Sequence, residues 1–315
     1  MEAASKTMPS HQSALIQTFA DFFCGIGGFH FASTALNLRC VYACDIDDKV
    51  RDTYEANFGM RPGGDINRIK LSKIPSFDLL CAAPPCQPFS IIGNRRGIAD
   101  SRGGLFFKLL KIIEVKQPKA VVLENVRQLL TIDNGKIFRC ILKELKLIGY
   151  FVDYRVLNAL DFGLPQKRER VLIVATRKRF EIFPWPMCKV PMKPLAKILE
   201  KTPDARHFVS DRIKQSRHAI HKSQYRPGIW HENKGGNVSS HPFSCALRAG
   251  ASHNYLLVDG ERRLTPREML RLQGFPNKFK IICADSQIRK QTGNAVPIPL
   301  ARAAIKGILE VHAQT

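Results

Sequence analysis

Nine cysteines are present, yet no two stand in a CxxC pair and their number is odd, so neither a disulfide framework nor a cysteine zinc site can be read from them. A signal peptide and an apolar run long enough to cross a membrane are also missing. The thiols, several of them inside apolar runs, therefore read as the reduced cysteines of a cytoplasmic protein. Acidic residues are scarce: 27 Asp+Glu face 49 Lys+Arg, a formal charge of +22 with a pI near 9.9. Such a surplus argues against acidic or neutral small-molecule partners and for a polyanion, nucleic acid first. The dinucleotide fingerprint is absent too, since the turn Gly25-Ile26-Gly27-Gly28 spaces its glycines as G-x-G-G.

What is present fits a chain of 315 residues with 44% hydrophobic content, enough for one large α/β domain and a smaller one. Met1 to Ser13 is polar and unpatterned and reads as a loose tail. Ala14 to Phe23 reads as a first strand, followed by the glycine turn and a helix from near Phe29. Glycines there let backbone approach a ligand closely. The next apolar run, Leu38 to Cys44, ends at Asp45, where open α/β sheets hold ribose hydroxyls on a carboxylate. After the amphipathic segment Lys49 to Phe58, Gly64-Asp65-Ile66 offers a second acid, suited to an adenine amino group. Each acid has a competing local use, Asp45 as a helix cap and Asp65 as a turn organiser. The repeat of strand, turn and acid predicts a doubly wound nucleoside site.

The chemistry-bearing run is Pro84-Pro85-Cys86-Gln87-Pro88-Phe89-Ser90, directly after the apolar stretch Phe77 to Ala83. Some forty residues on, Glu124-Asn125-Val126 follows another such stretch, Ala120 to Leu123. If both stretches are neighbouring parallel strands, a thiol and a carboxylic acid meet at one carboxyl edge. Downstream, Gln166-Lys167-Arg168-Glu169-Arg170 leads into Val171 to Thr176, and extended alternation would put Arg168 and Arg170 on one side. Glycines and arginines between Ser90 and Gly104 suit a loop that closes on a phosphate backbone.

In this order the motifs resemble those of the cytosine-C5 DNA methyltransferases of bacterial restriction-modification type, over about residues 15 to 312. The resemblance implies a class I methyltransferase, that is, a Rossmann-like doubly wound α/β sheet with a smaller inserted target-recognition domain. It implies transfer of a methyl group from S-adenosyl-L-methionine, leaving S-adenosyl-L-homocysteine, to C5 of a flipped cytosine through a covalent adduct of Cys86 with C6, without a metal. Glu124 would engage N3 and the exocyclic amine, while one of Arg168 and Arg170 orients Glu124 and the other donates to the cytosine O2. The cofactor would be held by Phe23, Gly25, Ile26, Gly27, Gly28, Asp45, Ile46, Asp65, Ile66, Pro85, Leu105, Asn294 and Val296. Gln87, Ser90, Arg95 and Arg96 would contact DNA from the closing loop, where Ile92 departs from the small polar residue of some relatives.

From about Arg177 the α/β rhythm stops, with Pro184, Pro186, Pro191, Pro194 and Pro203 and then a basic run up to His231. Lys178 to roughly Asp259 reads as an irregular, strand-rich recognition lobe in which Asn237 and Arg248, with Ser244 and Asn254, are candidate contacts to bases or backbone. Thr265-Pro266 with Glu268 marks a capped helix start. The segment Gln291 to Pro297, before a helix from Pro299 to Val311, returns the chain to the first lobe. The expected division is a catalytic and cofactor domain at 1–177, a recognition domain and hinge at 178–283, and a returning segment at 284–315. Expected partners are double-stranded DNA with a short specific site and a separately acting cognate restriction endonuclease, with a monomer working in the bacterial cytoplasm at the nucleoid and no membrane. Two rival readings are a transfer RNA methyltransferase of the same fold, whose Cys-Phe-Thr tripeptide this chain lacks, and a catalytically silent DNA-binding relative.

Overall fold

The computed structural model describes residues 15–85, 104–186 and 189–314; Cys86, Gln87, Ser90, Ile92, Arg95 and Arg96 lie outside them. Strands β1 (Thr18–Phe22), β2 (Arg39–Cys44), β3 (Leu79–Ala82), β4 (Ala120–Val126), β5 (Phe151–Asn158) and β7 (Glu169–Thr176) form one six-stranded sheet in the order β2-β1-β3-β4-β7-β5. The first four are parallel, and β7 runs antiparallel to both β4 and β5. The chain leaves β1 to one side for β2 and crosses to the other for β3. That reversal opens the crevice in which doubly wound sheets take ligands.

Alternation along the strands divides the core in two. Phe19, Leu79, Cys81, Val122 and Val174 face the side of helices α1 (Gly28–Thr34) and α8 (Ile298–Ala313), while Phe22, Leu80, Val121, Leu123 and Ile173 face α3 (Gly104–Lys116) and α4 (Lys136–Leu147). Burial on both faces explains why the inner strands read as unbroken apolar runs. Each fully buried Leu, Ile or Val contributes about 1.5–3 kcal/mol, so the sheet is a stiff platform for its edge.

Glu124 does not follow β4 as the sequence suggests but lies inside it. Pairing with β3 stops at Leu123, yet the antiparallel ladder with β7 runs on to Val126 opposite Arg170 and keeps the backbone extended through the acid. Helix α2 (Asp48–Phe58) is capped by Asp47, which accepts from the amides of Lys49 and Val50, so Asp45 is not spent as its cap.

The second lobe contains a four-stranded antiparallel sheet, in the order β12 (Arg262–Arg263), β11 (Leu256–Val258), β8 (Ile229–Glu232), β9 (Val238–His241). The basic run that reads as irregular includes a helix, α5 (Asp211–Ile220). Two short strands, β6 (Gln166–Lys167) and β10 (Ser244–Cys245), pair in parallel and tie this lobe to the first. Helix α6 (Pro266–Leu272) begins with the expected capping box, Thr265 and Glu268 bonding each other's backbone. The fully buried Glu268 also takes both terminal nitrogens of Arg262 and the amide of Glu200. Helix α7 (Asp285–Asn294) and α8 then carry the chain back beneath the first sheet.

Candidate active site

Pro84 and Pro85 leave the carboxyl end of β3, and Asn125 on the neighbouring β4 donates its side-chain amide to the Pro84 carbonyl at 3.0 Å. The strand that carries the acid therefore also holds the start of the proline-cysteine loop. This role of Asn125 was not read from the sequence, because an Asn after a Glu carries no local signal. Glu124 is buried, and Arg170 Nε sits 2.9 Å from its Oε1. Burial pushes the Glu124 carboxyl above its ordinary range, and the guanidiniums of Arg170 and Arg168 partly offset that. The balance favours a carboxyl that holds a proton more readily than a solvated Glu.

With Arg170 on Glu124, the second arginine role would fall to Arg168, and the structure corrects that expectation. Arg168 is 1% exposed, and its guanidinium donates to the carbonyls of Leu247 at 2.8 Å, Gly293 at 2.9 Å and Ala295 at 2.9 Å. A fork committed to three buried carbonyls is not at hand for a base edge. Burial lowers it to about 9, which still leaves it charged at neutral pH. Gln166 works beside it, accepting from the Leu247 amide at 3.0 Å and donating to the Leu272 carbonyl at 2.8 Å. Leu247 is thereby gripped at both of its backbone groups.

The nucleoside end is assembled from the other parallel strands. Asp45 Oδ2 accepts from the Gly25 amide and Oδ1 from the Asp47 amide, each at 3.0 Å, which ties the acid to the glycine turn. Burial raises its pKa. Beside it, Ile46 is 71% exposed, an aliphatic platform left open by the described residues. Asp65 takes the turn role weighed for it, accepting from the Asn67 amide at 2.9 Å through Oδ1, while its Oδ2 lies 4.0 Å from Arg68 Nε. Gly25 and Gly27 adopt positive φ of 53° and 85°, and a Cβ on Gly25 would meet open space. Gly28 must be glycine for another reason: a Cβ there would lie 2.3 Å from the Val296 carbonyl oxygen. The returning segment thus rests on the first turn, with Val296 buried and Asn294 exposed at the end of α7. Phe23 adopts a positive φ of 52°, Ile66 is buried, and Leu105 is half-buried on α3.

Beneath this site lies a residue that the sequence reading passed over. Asp21 on β1 is fully buried and, among the described residues, neither of its oxygens has a hydrogen-bond partner of good geometry; the His30 amide alone eases it. Burial and the nearby charge of Asp45 push its carboxyl well above the usual range. Its apolar neighbours hide it in sequence, where it looks like one more polar residue near a strand end.

In the second lobe Asn237 is exposed between β8 and β9, and Arg248 is exposed with its guanidinium 4.8 Å above the Tyr255 ring. Ser244 cannot read a base: it is fully buried in β10, its amide on the Pro165 carbonyl. Asn254 is committed to Arg263, whose Nε donates to its Oδ1 at 2.8 Å.

Residues 17–310 match the family described as C-5 cytosine-specific DNA methylase. The chain is 51% identical over 290 residues to type II methyltransferase M.NgoBI of Neisseria gonorrhoeae, with 91% of each protein covered. It is 50% identical over 289 residues to type II methyltransferase M.HaeII of Haemophilus aegyptius, covering 90% of each. Among solved structures it is similar in fold to the Entamoeba histolytica methyltransferase EhMeth, with a TM-score of 0.75 at 18% identity over 94% of this chain and 98% of that one. The S. pombe Dnmt2 methyltransferase is similar in the same way, with a TM-score of 0.73 at 21% identity over 93% and 98%.

Proposed function

Because the chain belongs to the C-5 cytosine-specific DNA methylase family, and is a DNA (cytosine-5-)-methyltransferase of restriction-modification type, we propose that Cys86, Glu124 and Arg170 carry its chemistry. S-adenosyl-L-methionine is the methyl donor, and the residues present suit it. The uncovered Ile46 offers a face for adenine, Asp45 and Asp65 offer acceptors, and the open space over Gly25 leaves room for the methionine part. When bound, the cofactor supplies an electrophilic methyl group.

Cytosine C5 is a poor nucleophile within its aromatic ring, and addition at C6 changes that. The Cys86 thiolate forms a bond to C6 of the extruded base, and the displaced pair moves toward C5. Glu124, whose carboxyl burial pushes up while Arg170 and Arg168 partly offset it, acts on N3 as the general acid and relieves the negative charge that develops in the ring. Arg170 fixes the rotamer of Glu124 from below, while Asn125 anchors the loop that leads to the nucleophile. Once C5 is methylated, N3 returns its proton to Glu124, a water molecule takes up the C5 proton, and the electron pair left at C5 reforms the C5–C6 double bond and expels the Cys86 thiolate.

The observation that carries this reading is the buried Glu124–Arg170 pair on a strand whose next residue ties down Pro84. Residues 1–177 and 284–315 serve the donor and the chemistry, and 178–283 the recognition of a short duplex site. The enzyme acts as a monomer in the cytoplasm, at the nucleoid, and a cognate endonuclease acts separately on the same site. No helix among the described residues is long and apolar enough to cross a membrane. Base-resolution bisulfite sequencing of plasmid from a host without cytosine methylation tests the reading. Methylation at one short recurring sequence is expected with the native chain and none with Cys86→Ala; a fully converted plasmid beside soluble native protein would overturn it.

A further inference from the structure

Next to the loop after β10, the recognition lobe and α7 enclose a cavity of about 170 Å³ lined by Arg248, Arg263 and Arg289 together with His253 and Tyr255. Each of these arginines is positioned by a neutral group. Arg263 donates to Asn254, Arg289 donates to the Ala251 carbonyl at 2.7 Å, and Arg248 lies over the Tyr255 ring. None of the three has an ion-pair partner among the described residues, and Arg289 Nε is buried without a hydrogen bond. Asp285, the acid in the lining, is engaged by Arg206 at 3.4 Å and faces His207 at 3.9 Å. Partial burial and the charges of Arg289 and Arg263 push the His253 imidazole below its ordinary range. Arg248 and Tyr255 also border a wider opening of about 590 Å³ with Lys234 and Gly250, so the cavity communicates with solvent.

Guanidiniums held in place by neutral partners keep their full charge and unused N–H groups, which is the arrangement that suits a tetrahedral oxyanion. We propose that this cavity seats one backbone phosphate of the DNA substrate, held by Arg289 and Arg263 with Arg248 closing over it. The inference rests on the enzyme acting on duplex DNA. It assigns Arg248 to the backbone and adds two residues that no motif marks.

The test is equilibrium binding of the full chain to a duplex containing its methylation site, to an unrelated duplex, and to a series in which each phosphate in turn is replaced by methylphosphonate. Arg289→Gln should weaken both duplexes about tenfold and lower the slope of log affinity against log salt by about one, while Arg289→Lys retains the slope. One methylphosphonate position should weaken the native protein to the same extent and add nothing to Arg289→Gln. Additive losses at every position overturn the proposal. So does a loss confined to the specific duplex with the slope unchanged, which would make these residues base readers. Arg248→Gln, altered at an exposed side chain, repeats the cycle should Arg289→Gln melt early. Native protein that methylates DNA but shows no such position sinks the phosphate site alone; native protein that binds no duplex sinks it together with the DNA reading.

Discussion

Glu124 and Asp21 are both buried acids on strands of one sheet, and their surroundings give them opposite consequences. Glu124 has Arg170 at 2.9 Å and faces the edge where the base would lie. Glu124→Gln keeps the shape and loses the transferable proton, so kcat should fall by about 10²–10⁴ while the melting temperature changes little; undiminished turnover would remove Glu124 from the mechanism. Asp21 has no cation beside it among the described residues, and only the His30 amide eases its burial. Its folded pKa lies above the unfolded value of 3.8, so it carries no penalty below that pH and becomes an increasing burden as pH rises toward the folded pKa. Asp21→Asn should therefore melt above the native protein at pH 7.5, by on the order of 2 °C for each kcal/mol recovered, with the gap closing toward pH 4.5. Melting curves that stay parallel across that range would show that the carboxyl is solvated or paired. A motif marks Glu124 in sequence, but nothing local says how either acid is buried or partnered, since those neighbours come from strands far along the chain.

At the scale of elements, the segment Gln166 to Arg170 shows how far pattern reading reaches. Alternation puts Arg168 and Arg170 on one side, and in the structure the charges of both lower the Glu124 pKa. It cannot say that Arg168 ends on carbonyls 79, 125 and 127 residues downstream, because those meet it only when β10, α7 and the turn before α8 pack together. The two arginines should consequently differ in kind when removed. Arg168→Met orphans three buried carbonyls at about 1–3 kcal/mol each and should lower the melting temperature sharply and weaken cofactor and DNA binding together. Arg170→Met should keep most of the stability and lose turnover. Calorimetric melting beside steady-state kinetics on both variants checks this, and equal melting temperatures would refute the clamp.

Over the whole molecule, the charge of +22 makes long-range attraction to a polyanion inevitable at low salt. Affinity for duplex DNA should fall steeply between 50 and 200 mM salt, by about 10³ or more if six or more phosphates are neutralised. Fluorescence anisotropy across that range measures it, and a flat response would contradict a basic groove. The cationic excess is not spread evenly: Arg61 is balanced by Asp48, Asp52 and Glu55 on α2, whereas Arg248, Arg263 and Arg289 form no ion pair among the described residues.

Local order determined much of this protein. Apolar runs ending near Gly25, Asp45, Pro84 and Glu124 announce a doubly wound sheet and the edge that bears its site, because buried strands must be apolar and ligands gather where they stop. The capping box at Thr265 was equally legible, being written within four residues. What only the tertiary structure decided are the contacts between distant segments: the antiparallel β7 that keeps Glu124 inside its strand, the grip of Gln166 and Arg168 on Leu247, and the isolation of Asp21. Each depends on burial, and burial is a property of the packed molecule that no window of sequence contains.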